Sequence, residues 1–326
     1  MALTIPSSLK LKNLKSLAFQ CGITTTGSKT LLTTRLIDEI VPFTPDHGSE
    51  PRLPRRILSI DMGIRNLAYC ILDLQPHSIP SVTAWRRVAV SSIPRTLTND
   101  SDPSISSPKE LFDPPTLSAA AYTLLRQTLL PHKPTHILIE RQRFRSMSSP
   151  HILEWTIRVN MFESIFYAVL QTLKSEKIWQ GAIIPIMPGK VGKFWIGSVP
   201  ESTAQRTNNA GSSRPCESKA RTTKSAKLLN KGAKIDLVKT WVEKKQKLNL
   251  GSLEAELIGK AYLDKWHRLP GRRKGKSVAK IAEDEIEEIG KLDDLADSLL
   301  QGMAWVKWEE NKRQVLKIGV QALDLS

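Results

Sequence analysis

Apolar and polar positions alternate in two different periods along this chain, and the periods mark out its elements. Leu11, Leu14, Leu17 and Ala18 recur at helical spacing, and Gly22 follows as a stop. After the turn Thr24–Ser28, Leu31, Leu32, Leu36, Ile37 and Ile40 predict a second helix, with Ser28 as its cap. Pro42 to Pro54 contains four prolines and reads as a linker. The apolar run Ile57–Ile60 predicts a buried strand that ends on Asp61, and Leu67–Leu72 predicts its antiparallel return, with Gly63 in the connection.

A third strand is expected over Ser81–Val90, a long Ser- and Pro-rich loop over Ser91–Pro115, and a helix over Leu117–Leu130. Thr135–Glu140 is a short apolar strand that also ends on a carboxylate. The basic loop Arg141-Gln142-Arg143-Phe144-Arg145 follows it. A long amphipathic helix is predicted over His151–Lys174 and a strand over Ala182–Met187. Ser198–Ala226 is polar, with almost no large apolar residue, and reads as a mobile basic insertion. Helix returns over Lys227–Lys247, and Leu292 opens a final helix. Three antiparallel strands followed by strand–helix alternation predict a mixed α/β sheet flanked by helices, the element order of the RNase H-like fold.

Charge narrows the partner. Lys and Arg outnumber Asp and Glu by 48 to 32, a net charge of +16, which points to a polyanion such as nucleic acid. No apolar run reaches the roughly 18 residues that would span a bilayer. The three cysteines, Cys21, Cys70 and Cys216, are too scattered for a zinc site or a disulfide framework. The first forty residues hold no acid before Asp38 and no arginine before Arg35, so no import signal is readable there.

The candidate chemistry lies in carboxylates. Asp61 and Glu140 end two strands; if those strands are neighbours, the two acids sit side by side. Asp294 and Asp297 share one face of the last helix, as do Asp293 and Asp297. Singly, each has an ordinary explanation: a turn former, an ion pair with Arg141, a favourable helix N-terminus. Together, at about 4 Å and an effective dielectric near 20, each like pair costs roughly 4 kcal/mol. Hard dications reverse that sign, and two of them about 3.5–4 Å apart suit phosphodiester hydrolysis.

These residues carry a family resemblance. The stretches Ile60-Asp61-Met62-Gly63-Ile64-Arg65-Asn66-Leu67-Ala68-Tyr69-Cys70, Ile139-Glu140-Arg141-Gln142, Met187-Pro188-Gly189-Lys190-Val191 and Asp293-Asp294-Leu295-Ala296-Asp297-Ser298 closely resemble the fungal mitochondrial Holliday-junction resolvases, relatives of bacterial RuvC. The first forty residues resemble a SAP motif, a helical DNA-binding hairpin, through Leu11-Lys12, Leu14, Gly22-Ile23, Gly27, Lys29, Leu32 and Arg35-Leu36. The resemblance covers about residues 55–310. The 198–226 insertion and the unreadable presequence depart from it.

The implied organisation is a SAP-like hairpin over 1–41, a linker over 42–54 and a nuclease domain over 55–326 with a five-stranded sheet. The implied activity is symmetric cleavage of four-way junction DNA by a mitochondrial homodimer. It would use two Mg²⁺ per active site, replaceable by Mn²⁺, with no small-molecule cofactor and no membrane. Asp61, Glu140, Asp294 and Asp297 are the implied metal acids, and Asp293 is the alternative to Asp294.

Implied DNA contacts are Arg65, Arg141, Arg143, Arg145, Lys190, Lys193, Lys12, Lys29 and Arg35. Lys231 or Lys234 is expected near the scissile phosphate, and Phe144 either stacks on unpaired bases or folds onto the core. Two other classes remain open on the residues alone: a non-catalytic DNA-binding or packaging protein, and an actin-like ATPase, which would need Gly-rich phosphate loops that the chain lacks.

Overall fold

A computed structural model describes residues 3–41, 55–90, 112–142, 153–197, 217–269 and 291–323, with backbone only over 217–229. Within them the chain forms two compact units. Residues 54–187 and 235–302 make one; residues 1–53, 188–234 and 303–326 make the other. The expected division at the 42–54 linker is therefore not the division of the fold, because the segments that complete each unit lie far apart in sequence.

The larger unit is a sheet with strand order β5-β4-β1-β2-β3-β6. Strand β1 (Arg55–Asp61) pairs antiparallel with β2 (Leu67–Leu74), which pairs antiparallel with β3 (Ser81–Val88). On its other side β1 runs parallel to β4 (His136–Glu140), and β4 runs parallel to β5 (Ala182–Ile186). The sheet has six strands among the described residues, where five were expected. The sixth, β6 (Asn249–Leu250), pairs only with Ser81 and Val82, too short a segment to carry a period-2 signature.

The strand period assigns the faces. Leu58 and Ile60 of β1, Tyr69 and Ile71 of β2, and Ile137 and Ile139 of β4 lie in one apolar cluster. They pack there with Leu117 and Ala121 of α3 (Pro114–Thr123) and Phe162, Phe166 and Leu170 of α4 (Glu154–Ser175). The intervening positions, Ser59, Asp61, Leu138 and Glu140, belong to the opposite face. There the final helix α8 (Leu292–Ile318) begins, and four contacts fix it to the sheet. The Trp85 indole donates to Leu295 O at 3.0 Å, and the Cys70 thiol donates to Ser298 O at 3.4 Å. The buried Gln301 amide donates to Ser59 Oγ at 3.1 Å and to Ile60 O at 3.0 Å. Gly302 permits this approach: a Cβ there would lie 2.8 Å from Leu72 Cδ1 and 3.2 Å from Ser59 Cβ.

The smaller unit contains the predicted helical hairpin, α1 (Leu11–Gln20) and α2 (Lys29–Ile40), with Ser28 Oγ accepting from Leu31 N as the cap. The hairpin is not autonomous. Leu14, Leu17, Leu32, Leu36 and Ile40 share a core with Val315 and Val320. Phe19 packs on Phe194 of α5 (Pro188–Ile196), and Phe194 packs on Trp308. The Trp308 ring lies where a side chain at Gly22 would go, and Gly22 has φ +68, so both space and backbone favour glycine there. Asn311 Nδ2 closes the set by donating to Gln20 O at 2.6 Å.

Two further expectations change. The 198–226 segment is not one irregular insertion, since α6 (Glu217–Lys244) is already helical from Glu217. The run Lys-Ala-Arg-Thr-Thr-Lys-Ser-Ala-Lys at its start contains no Gly or Pro to oppose a helix. Residues 198–216, the linker and the loop over 91–111 lie outside the described residues. Helices α5 and α7 (Leu253–His267) were not separated out by periodicity, being short or mixed in character.

Three cations expected on DNA are partly committed within the smaller unit. Arg35 Nη1 donates to Thr24 O and Thr26 O, both at 2.8 Å, and so braces the turn between α1 and α2. Lys29 Nζ donates to Ser7 O at 2.5 Å. Lys190 Nζ donates to Gly22 O at 2.9 Å and Thr24 Oγ1 at 3.3 Å, and burial lowers its pKa. Arg35→Ala is expected to lower stability by about 1.5–3 kcal/mol, the range for hydrogen bonds from a charged donor. Urea unfolding read beside a junction-binding titration checks this: the midpoint falls and the dissociation constant stays put.

Candidate active site

Asp61 and Glu140 come together because of strand register. Ile60 pairs with Ile139 in the parallel β1–β4 ladder, so the next residue on each strand is an acid facing the α8 side. The Asp61 carboxyl is held well above the ordinary carboxylate range. Burial is the largest cause, followed by the hydrogen bond and charge of Glu140 and then the charges of Asp297 and Asp294. Four acids from three distant segments therefore act on one another.

The helix acids divide by role in the geometry. Asp297 and Asp294 are the two whose charges reach Asp61. Asp293 raises the pKa of Asp294, whose carboxyl is also raised by its own burial. Asp297 sits one turn before Gln301, the side chain that spans β1 and β4, so the same helix face carries both an acid and the clamp that sets its height over the sheet.

Arg87 was not foreseen. Asp61 is opposite Ala68 in the ladder, and Ala68 is opposite Arg87, so the three form a row across β1, β2 and β3. The small Ala68 leaves the Arg87 guanidinium free to lie across the sheet. Its Nε donates to Asp294 Oδ2 at 3.2 Å, and its Nη2 donates to Asn66 Oδ1 in the β1–β2 turn. The available sequence signal was a strand residue with the period of the acid face, but only the strand pairing shows which acid it meets.

The other expected residues fall in separate places. Arg65 is exposed, with its guanidinium 4.8 Å from the Trp155 ring centroid and 5.6 Å from that of Phe112. Arg141 is exposed at the end of β4, where its backbone N–H donates to Ile186 O at 2.8 Å. Lys12, Lys193 and Lys231 are exposed, and Lys190, Lys193, Lys231 and Lys234 belong with the hairpin to the smaller unit. Arg143, Phe144 and Arg145 lie outside the described residues.

Among the described residues, no group of three or more His, Cys, Asp or Glu side chains is arranged as a finished ligand set for a metal. Asp61 and Glu140 instead follow paired residues on adjacent strands, with Asp294 bonded to Arg87. The donor set still fits a hard divalent ion. Every candidate ligand is a carboxylate oxygen, and the raised Asp61 carboxyl marks a place where negative charge lacks compensation. The fit thus rests on the chemistry of the donors and their electrostatic strain.

The comparisons with known proteins agree on one lineage. A family profile described as "Mitochondrial resolvase Ydc2 / RNA splicing MRS1" matches residues 57–315. The chain belongs to this family.

Two curated members are similar over nearly the whole chain. "Cruciform cutting endonuclease 1, mitochondrial" of Schizosaccharomyces pombe is 27% identical, covering 93% of this chain and 93% of its own length. The Saccharomyces cerevisiae protein of the same description is 24% identical, covering 95% of this chain and 84% of its own. The crystal structure of the yeast mitochondrial Holliday junction resolvase Ydc2 superposes with a TM-score of 0.55 at 21% identity, covering 96% of this chain and all of that one. That likeness shows a shared fold, a mixed α/β sheet flanked by helices. Among the described residues, no helix is long and apolar enough to cross a membrane.

The raised Asp61 carboxyl has a consequence for stability. Its folded-state pKa lies above the unfolded value of about 3.9, so its contribution is fully present below that pH and is lost as pH rises through the folded value. At neutral pH without divalent ions the charged cluster opposes folding. Asp61→Asn is therefore expected to stabilise the metal-free protein at pH 7 by about 0.5–2 kcal/mol, as relief of site strain commonly does, and not at pH 4. Calorimetric unfolding in a chelator at the two pH values checks this.

Proposed function

We propose that this protein is a structure-selective endonuclease that resolves four-way DNA junctions by paired, metal-dependent phosphodiester hydrolysis in mitochondria. The observation that carries the reading is the convergence of Asp61, Glu140, Asp294 and Asp297 in a chain of the resolvase family. A protein that only bound nucleic acid would gain nothing from setting two partly buried carboxylates at the ends of adjacent strands. Relatives named as mitochondrial cruciform-cutting endonucleases support the substrate and the compartment.

In this reading Asp61, Glu140, Asp297 and Asp294 would hold Mg²⁺, for which Mn²⁺ would substitute. Divalent ions held there would supply positive charge to the scissile phosphate and activate the attacking water. Asp294 would turn from Arg87 to the ion, and Asp293 would add negative charge behind it. Gln301 keeps the helix acids at a fixed height over β1 and β4.

Exposed Arg65 and Arg141 flank the acids along the chain and supply phosphate contacts, as do Lys193, Lys231 and Lys12. The excess of basic residues makes binding salt-dependent through counterion release. A homodimer places two such sites on one junction, so that strands of like polarity are nicked symmetrically. The hairpin adds DNA contacts in this reading through residues such as Lys12.

A mobile four-way junction tests it. The wild-type protein is expected to cut only with Mg²⁺ or Mn²⁺, at paired positions, and far faster than an RNA–DNA hybrid. Asp61→Asn and Asp294→Asn are expected to bind the junction with unchanged affinity and leave it uncut in gel assays. Cutting without a divalent ion, or cutting by Asp61→Asn at the wild-type rate, contradicts the proposal.

A further inference from the structure

The two strands that carry Asp61 and Glu140 separate after their last ladder pair, and something must fix the spacing of the acids beyond that point. One residue does this from both sides. Gln142, two positions after Glu140, donates its side-chain Nε2 to Met62 O at 3.3 Å, and Met62 is the residue that follows Asp61. Its backbone N–H donates to Glu163 Oε2 at 3.0 Å. Glu163 projects from α4, whose Phe162 and Phe166 are fully buried in the core under the sheet. The path Met62–Gln142–Glu163 therefore joins the ends of β1 and β4 to each other and anchors both to a helix that packing holds still.

The chemistry of Glu163 suits a bracket. A carboxylate that accepts from a backbone N–H forms a charge-assisted bond, stronger than a neutral one. Burial opposes the charge on Glu163, while Glu140 adds a smaller repulsion that Arg141 outweighs. A neutral, apolar residue on α4 would pack there without repulsion, yet would leave the Gln142 N–H without its acceptor.

We infer that Glu163 and Gln142 are positioning residues that set the separation of the Asp61 and Glu140 carboxylates, and hence the affinity of the site for a divalent ion. The inference rests on the reading that those acids hold the metal. Neither residue is one of the acids read as metal ligands. Glu163 acts through the Gln142 backbone, and Gln142 acts through the Met62 carbonyl. Outer partners that orient metal-binding carboxylates typically change affinity by about 10–100-fold when removed.

The test is a calorimetric titration of the full-length protein with Mn²⁺, without DNA, for wild type, Glu163→Ala, Glu163→Gln and Gln142→Ala. Thermal unfolding in chelator and junction affinity are measured on the same preparations. Glu163→Ala and Gln142→Ala are expected to weaken Mn²⁺ binding by about tenfold, with unfolding temperature and junction affinity close to wild type. Glu163→Gln keeps a side-chain carbonyl to accept from the Gln142 N–H and is expected to restore most of the loss.

Mn²⁺ affinity unchanged in Glu163→Ala overturns the inference. So does equal damage in Glu163→Gln, which would make charge rather than the hydrogen bond responsible, or a loss of affinity that tracks a loss of thermal stability. A wild-type protein that binds Mn²⁺ and cuts no junction would remove the resolvase reading while the bracket is still decided by the titration.

Discussion

Carboxylates on adjacent strands repel, and this sheet places two of them side by side. The parallel β1–β4 ladder brings Asp61 next to Glu140, and the strand period turns both to the face where the last helix lies. The fold could have dispersed that charge by offsetting β4 by one residue, which would have turned Glu140 away from Asp61 and into the apolar cluster with α3 and α4. Instead it keeps the two acids on one face and brings Asp297 and Asp294 within electrostatic reach. The remaining architecture of the larger unit can be understood as holding this arrangement against its own repulsion.

Several devices do so from the elements around the acids. Gln301 reaches two adjacent strands from one helix position, and Gly302 beside it allows the helix to sit close enough for that reach. Trp85 fixes the first turn of the same helix through Leu295 O, and its ring stacks on Tyr262 of α7 at 5.2 Å. Arg87 supplies positive charge to Asp294 from the third strand. Each contact is buried or partly buried and joins residues at least 163 apart in sequence, so the site exists only when the whole unit has folded. A neutral core of the same volume would be easier to stabilise; the persistence of the charged arrangement is what gives the cluster functional meaning.

Legibility followed the range of the interactions. Asp61 and Glu140 could be singled out because an acid at the end of an apolar run stands out locally, and the period of two fixed their common face once the strands were neighbours. Spacing did not separate Asp293 from Asp294, since both share a helix face with Asp297, and the ion pair of Asp294 with Arg87 depends on strand pairing that the sequence does not print. Gln301, Gln142 and Glu163 look like ordinary polar residues in sequence, and only their distant acceptors give them meaning. The hairpin shows the same split. Its two helices and the Ser28 cap followed from periodicity, but their packing on Val315 and Trp308 did not, so a unit expected to stand alone proved to include the chain's other end. Arg35 and Lys190 were expected on phosphate because they are basic; the carbonyls they brace come from turns whose shape the sequence does not print.

The central claim is that the acids at the ends of β1 and β4 hold divalent ions. Anomalous diffraction from crystals soaked in Mn²⁺ tests it most directly. The account predicts anomalous peaks beside Asp61 and Glu140, with Asp297 among the ligands and Asp294 released from Arg87. Crystals in which Asp61 and Glu140 remain hydrogen-bonded to each other at saturating Mn²⁺, with no peak between β1, β4 and the last helix, would contradict it.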